Sequence, residues 1–409
     1  MTNSIKNKRE RQDKLKELIL RLHEGESEEV ITKEFAKHFQ NISPLEISVM
    51  ERRLMKEEGL SVAEIMRLCN VHVAVMANYV DQDLESPADF NQPGHPVHVL
   101  REENLALEAN LMRIRNLLDV YLTEANSDEE IKKGLSLQIE KLGEFDRHYQ
   151  RKENSIFPLM EKYNILAPPK VMWGVDDEIR DLYKEFKEIF NQDELSLLEE
   201  QFTELDYEMQ EMFVKEEEIM IPMIAEVFNV DDWLKVRDES DEFGYCLVKP
   251  LAEWRVERVE ADVSPQEEIS GEMQLGTGSL TMKELDLILN LLPLELTFVD
   301  KDDVVKYFNN QEQEKLLART PNAIGRDVMN CHPPKSYQIV EQLIEDLKSG
   351  KKDREIAWFE KDGHSIHITY VAVRDEEGEY LGILEYVQDI SSFLTIEGEK
   401  RVKYQRKDE

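Results

Sequence analysis

The sequence predicts a multi-domain α and α+β protein. It expects an all-α N-terminal domain, then a four-helix bundle, then a C-terminal five-stranded antiparallel sheet with flanking helices. Two changes along the chain point to this. Up to about residue 230 apolar residues recur three and four apart, as one buried helix face requires. Past residue 295 the period falls to two, as one buried sheet face requires. The length agrees: 409 residues at roughly 100–200 residues per domain suggests two to four domains.

Residues 1–83 read as a compact helical domain. Leu15, Leu18, Ile19 and Leu22 share one helical face, as do Leu54, Ile65, Met66 and Leu68. Gly25 and the Ser43-Pro44 step punctuate it, Pro44 suiting a first turn with Ser43 as its N-cap. A break follows at Glu85-Ser-Pro-Ala-Asp and Asn91-Gln-Pro-Gly. Residues 92–230 predict helices over 97–123, 128–149, 170–190 and 196–220, joined shortly enough for an up-and-down bundle. Within it, His148-Tyr-Gln-Arg-Lys-Glu-Asn-Ser-Ile-Phe-Pro158 aligns without gaps on Met212-Phe-Val-Lys-Glu-Glu-Glu-Ile-Met-Ile-Pro222. Two helices that end alike imply two helix pairs related by pseudo-symmetry.

Residues 231–280 read as a linker, polar at Asp238-Glu-Ser-Asp-Glu-Phe-Gly and glycine-rich from Gly271 to Ser279. From 281 to 396 the order β-β-α-α-β-β-β is expected. Strands are read at Leu296–Val299, Val304–Phe308, Glu355–Glu360, Ser365–Val373 and Tyr380–Gln388, with turns at Asp300–Asp303, Asp362-Gly363 and Glu376-Glu377-Gly378. Helices are expected at Leu285–Leu292, 311–319 and 336–349. Residues 397–409 form a charged tail.

Acidic residues outnumber basic ones 87 to 51, a formal net charge of −36. That balance argues against nucleic-acid binding, which needs clustered Lys and Arg, and against anionic membrane surfaces. The first residues carry no apolar core of a secretory signal, and no run of about 18 apolar residues suggests membrane insertion. Cys69, Cys246 and Cys331 are far apart and form no Cys-x-x-Cys pair. A reducing, cytoplasmic setting is the expectation.

Several strings carry a resemblance. They are Leu18–Gly25 and Glu64-Ile-Met-Arg-Leu-Cys-Asn-Val-His72 in the first zone. In the second they are Pro93-Gly-His-Pro-Val-His98, Phe145-Asp-Arg-His-Tyr149 and Val171-Met-Trp-Gly-Val-Asp-Asp-Glu-Ile-Arg180. In the third they are Phe298-Val-Asp-Lys-Asp-Asp303, Gly325-Arg326, Cys331-His-Pro-Pro-Lys335 and Gln388-Asp-Ile-Ser391. With these the chain resembles the bacterial family that joins an N-terminal helical domain of unknown function, a haemerythrin-like HHE cation-binding bundle and a C-terminal PAS sensor domain.

The resemblance implies a di-iron centre of several histidines and bridging carboxylates, ligands that suit iron and leave positions open for oxygen or nitric oxide. This copy departs from that pattern. Residues 92–230 hold only His95, His98 and His148. Lys152 stands where a Glu would follow His148, Met212 replaces a His in the second repeat, and Asp176-Asp177 falls where another His is usual. The remaining metal candidates are His98, Glu102, His148, Asp177 and Glu216. A bundle kept for structure or partner contact is the favoured reading over an intact di-iron centre, with haem or a single metal as further alternatives. His95, between Gly94 and Pro96, reads as a staple of the first helix.

Elsewhere, Cys69 and His72 could supply two metal ligands or a redox group, although core packing suits Cys69 as well. Cys331 and His332 are candidates for redox chemistry and haem ligation, against a rigid turn set by Pro333 and Pro334. Leu292, Phe298, Phe308, Val328, Trp358, Ile368, Tyr370, Leu384 and Tyr386 would line a cavity or fill a core. No phosphate-binding loop, nucleophile elbow or dinucleotide fingerprint occurs. The sequence therefore points to a non-enzymatic cytoplasmic sensor. Its PAS-like domain would bind a small molecule, a gas or haem, or pair two copies, and a degenerate bundle would serve as second input or output surface toward a protein partner. The alternatives are a di-iron protein handling oxygen, nitric oxide or iron for iron–sulfur repair, and an interaction hub without ligand.

Overall fold

The computed structural model describes residues 88–123, 129–192, 194–256, 272–275, 277–311, 315–317 and 319–396, and scattered residues between 14 and 34. Cys69, His72, most of the expected 1–83 domain and the 397–409 tail lie outside the described residues. The chain divides into two compact units, Met1–Val259 with the short His332–Ser336 segment, and the remainder from Glu260.

In the first unit, α1 (Pro96–Thr123) packs along α2 (Glu129–Leu142), and α5 (Ala167–Asn191) along α6 (Leu195–Lys215). The helix expected over 128–149 is split at Gly143, and its second part is α3 (Phe145–Arg151). A π-helical turn, Lys152–Ile156, joins α3 to α4 (Phe157–Lys162). A second π turn, Glu216–Met220, joins α6 to α7 (Ile221–Ala225). Both sit at equivalent places in the sequence repeat. Each is closed by an N–H five residues on, Phe157 to the Lys152 carbonyl and Ile221 to the Glu216 carbonyl. Pro158 and Pro222 supply the cause: a proline offers no N–H, and its ring crowds the carbonyl four residues back, so the ladder widens by one residue there.

The core runs the length of the bundle through Leu100, Leu107, Leu111, Ile114 and Leu118 on α1, Phe186 on α5, and Phe202, Leu205 and Met209 on α6. The expected linker does not begin at 231. Instead α8 (Val230–Phe243) starts with a capping box between Asn229 and Asp232. Trp233 and Val236 from α8, then Cys246 and Trp254, join the bundle core. Apolar residues among the acids of this segment decide that outcome, because the bundle end they cover would otherwise face water.

Gly94 lets this cover close. It takes φ +85°, and a Cβ there would lie 2.0 Å from the Ala252 carbonyl oxygen. Gly94→Ala should therefore destabilise the bundle by at least the roughly 1–3 kcal/mol that left-handed backbone costs a non-glycine residue. Urea unfolding followed by tryptophan fluorescence checks it; an unchanged midpoint would contradict the packing described.

In the second unit a hairpin, β1 (Glu272–Leu275) and β2 (Gly278–Thr281), precedes α9 (Met282–Leu291), which a Thr281–Glu284 capping box starts. The five-stranded antiparallel sheet follows: β3 (Glu295–Asp300), β4 (Val305–Phe308), β5 (Arg354–Lys361), β6 (His364–Arg374) and β7 (Tyr380–Asp389). Its order is β4-β3-β7-β6-β5. α10 (Tyr337–Lys348) packs on one face through Ile344 and Leu347 against Ile383, Tyr370 and Ala372. Ile366, Ile368 and Val387 form a second cluster with Leu316 and Leu317. The helix expected over 311–319 is absent at 315–317, where the chain bends instead. Ile368 and Tyr370 pack as expected, whereas Trp358, on edge strand β5, is 73% exposed.

Candidate functional site

Charged side chains occupy apolar register positions in the middle of the bundle. On α1 the buried series Leu100, Leu107, Leu111, Ile114 is interrupted by Glu103. His148 and Arg151 come from α3, Lys152 and Glu153 from the first π turn, Asp176 from α5 and Glu216 from the second π turn. All of these are buried.

His148 lies at the centre. Its Nδ1 is 2.8 Å from Glu103 Oε2 and its Nε2 is 3.1 Å from Glu216 Oε2. Burial opposes charge on this ring, but Glu216 and Glu103 outweigh it and raise the imidazole above its usual range. Both ring nitrogens then donate. The Lys152 ammonium donates to Glu216 Oε1 at 2.5 Å and to Asp176 Oδ1 at 2.9 Å. It also sits 4.3 Å from the centre of the Tyr149 ring. Glu216 thus bridges two cationic groups, one oxygen to each. Its carboxyl is pressed upward by burial, yet Lys152 and His148 hold it far below the ordinary range. Asn104 Nδ2 adds a hydrogen bond to it at 2.8 Å.

Glu103 is held as firmly. Burial pushes its carboxyl up, while Arg151 and His148 outweigh that and lower it. Arg151 donates to Glu103 Oε2 and, at 2.9 Å, to the Gly244 carbonyl. Glu103 Oε1 accepts from the Cys246 backbone N–H at 2.8 Å, so α1 is tied to the segment after α8. At the edge, Arg180 donates to both oxygens of Glu153 at 2.8 and 3.0 Å, to Asp146 at 2.6 Å and to Asp177 at 3.1 Å. Each of these buried cations has a carboxylate within hydrogen-bond reach, as burial of charge demands.

Of the residues the sequence singled out as metal ligands, the structure brings His148 and Glu216 together. Asp177 belongs to the Arg180 cluster at the edge, and its neighbour Asp176 is the one that meets Lys152. His98 and Glu102 share a face of α1, but Glu102 is exposed and Glu103, one residue on, turns inward. The legible sign for Glu103, Arg151 and Asp176 was a charged residue in an apolar register.

The donor set does not fit a pair of irons. The one imidazole among these residues has each ring nitrogen turned to a carboxylate, at 2.8 and 3.1 Å. The carboxylate oxygens that would bridge a metal already hold the ammonium of Lys152. Among the described residues no group of three or more His, Cys, Asp or Glu is arranged to hold a metal ion.

His95 is packed for another purpose. Its ring centroid lies 4.9 Å from Phe90, 5.0 Å from Trp233 and 4.5 Å from Trp254, and its Nδ1 accepts the Val97 N–H at 3.1 Å. Burial lowers its pKa to about 4, against the opposing pull of Asp89. The unfolded chain therefore binds the proton more tightly between pH 6.5 and 4, and stability falls as pH drops through that window. The raised imidazole of His148 has the other sign: its contribution is complete below pH 6.5 and is lost as pH rises from there through its folded value. His95→Phe should remove about 2–3 kcal/mol of the stability lost between pH 7 and pH 4. The difference between the urea midpoints of the two proteins across that range measures it, and parallel profiles would count against it.

In the second unit a cavity of 680 Å³ opens beside the sheet, with Ile366 and Val387 as apolar floor and Glu295, Lys361, His364 and Asp389 among its polar lining. Glu295 accepts from the backbone N–H groups of Leu316 and Leu317 and from Arg319. His364 Nδ1 is 2.7 Å from Asp389 Oδ2. Cys331 and His332 are not among the residues lining this cavity. Cys331 ends a 3-10 turn, its thiol 3.7 Å from the Asp327 carbonyl.

Comparison with known proteins matches three stretches. Residues 15–82 match the family of unknown function DUF438, 95–224 the hemerythrin HHE cation binding domain, and 285–391 a PAS domain. Among solved structures, a C-terminal domain from Streptococcus mutans is 43% identical over 30% of this chain and 96% of its own, with a TM-score of 0.30. A sensory box sensor histidine kinase from Vibrio cholerae is 15% identical over 26% of this chain and 90% of its own, TM-score 0.21. The PAS domain of a Colwellia psychrerythraea protein is 16% identical over 27% and 97%, TM-score 0.22. No curated protein matches. Among the described residues no helix is long and apolar enough to cross a membrane.

Proposed function

We propose, for a chain that belongs to the family joining DUF438, hemerythrin HHE and PAS modules in that order, a sensory role in which the PAS domain takes a small ligand and the bundle relays or receives the signal. The observation that carries this reading is the cavity beside the PAS sheet, 680 Å³ with an apolar floor and a polar lining. That size and mixture suit a small polar molecule. Glu295 is the natural transmitter. It lines the cavity and at the same time fastens the 316–317 backbone and Arg319, which pairs with Glu385 on β7. A ligand that competes for its carboxylate would release that segment and shift the population between two packings.

The bundle supports a contact role better than gas chemistry, because its central carboxylates are committed to His148, Arg151 and Lys152. Native mass spectrometry of the full chain from its host tests the ligand reading. The expected result is a small-molecule adduct that Gln388→Trp, which fills the cavity from β7, abolishes. An unliganded protein, or an adduct indifferent to that substitution, would contradict it.

A further inference from the structure

We propose that the ammonium of Lys152 is the bundle's own resident cation, covalently supplied at the place where the HHE pattern would use a metal, so that this bundle holds its helices in register without iron and shuts divalent metal out. The inference rests on the hemerythrin match and on the ion network, and is independent of the sensory reading.

The sequence repeat shows the place. Aligned without gaps, Lys152 corresponds to Glu216 and His148 to Met212. Lys152 and Glu216 each open a π-helical turn, and these equivalent residues meet each other at 2.5 Å. A pair formed by repeat-equivalent positions joins the two halves of the sequence repeat, so that one cation serves both. Asp176 brings a third element to the same nitrogen at 2.9 Å. The Lys152 side chain has no exposed surface.

Metal would have to displace this arrangement. A divalent ion binds carboxylate oxygens at about 2.0–2.2 Å, so one held by Glu216 and Asp176 would sit against the buried ammonium, like charge on like charge. His148 offers no relief, since both of its nitrogens are turned to carboxylates. Met212, at the position equivalent to His148, is fully buried and contributes only a thioether. The lysine stem is fixed by the helix, so unlike a metal it cannot leave. The bundle then responds neither to iron supply nor to chelation.

The test uses the full chain, with ferrous iron and manganese as probes and with metal content and melting temperature as readouts. The wild type is expected to carry no metal that Glu216→Gln removes, and to melt at the same temperature with manganese or with EDTA. Lys152→Ala should melt several degrees lower and be raised by manganese, because Glu216 and Asp176 are then free to bind it. Stoichiometric metal in the wild type that Glu216→Gln abolishes would overturn the proposal, as would Lys152→Ala melting like the wild type. The wild-type arm decides the matter even where Lys152→Ala does not fold.

Discussion

Replacing Lys152 by Met is expected to lower the stability of the bundle by about 3–5 kcal/mol, the usual cost of breaking a buried ion pair from one side. Methionine matches the lysine stem in volume, so little of the loss comes from a cavity. What remains is electrostatic: Glu216 and Asp176 would face each other around an apolar thioether, with Asp176 Oδ2 already lacking a partner. Burial raises the Asp176 carboxyl while Lys152 and Arg180 oppose it, so without Lys152 this acid should take up a proton. Adding Asp176→Asn to Lys152→Met should recover part of the loss. Urea unfolding read by Trp233 and Trp254 in the bundle core measures both, and additive effects would deny the coupling.

Glu216→Gln is the companion experiment, with a similar expected cost of about 3–5 kcal/mol at pH 6. It leaves two cations, His148 and Lys152, without their common carboxylate. The loss should shrink as pH rises. In the wild type the charged His148 ring contributes fully below its unfolded value of 6.5 and gives that contribution up as pH rises from there through its raised folded value. The variant has less of it to give up. Unfolding at pH 6 and pH 9 reads the difference, and NMR of the His148 ring should show it charged at pH 7 in the wild type and shifted down in the variant. An equal loss at both pH values would mean that the ring is neutral in the native bundle.

Much of the fold was legible because it is written in period. The bundle helices, the five strands and the turn at Asp300–Asp303 follow from apolar spacing and turn residues alone. The split at Gly143 and the loss of helix at 315–317 were not, since both depend on what packs against the chain. Composition alone reads residues 231–280 as a linker because of their acids, while Trp233, Val236 and Trp254 pack the 231–256 part into the bundle core.

The candidate site divides along the same line. His148 and Glu216 could be found from the repeat. Lys152 is legible in the sequence only as a departure from a metal pattern; that its nitrogen lies between Glu216 and Asp176 is set by packing the sequence does not display. His98 and Glu102 satisfied the spacing of a ligand pair but lie off the buried face of α1. Spacing says which residues share a face; the apolar residues beside them say which face is inward, and here they mark Glu103.

The most direct measurement is diffraction from crystals of the full chain grown with ferrous iron, recorded on both sides of the iron absorption edge. The account predicts no anomalous peak between Glu216 and Asp176, with continuous density for the Lys152 side chain reaching both carboxylates. An iron peak coordinated by Glu216, with Lys152 turned away, would contradict it.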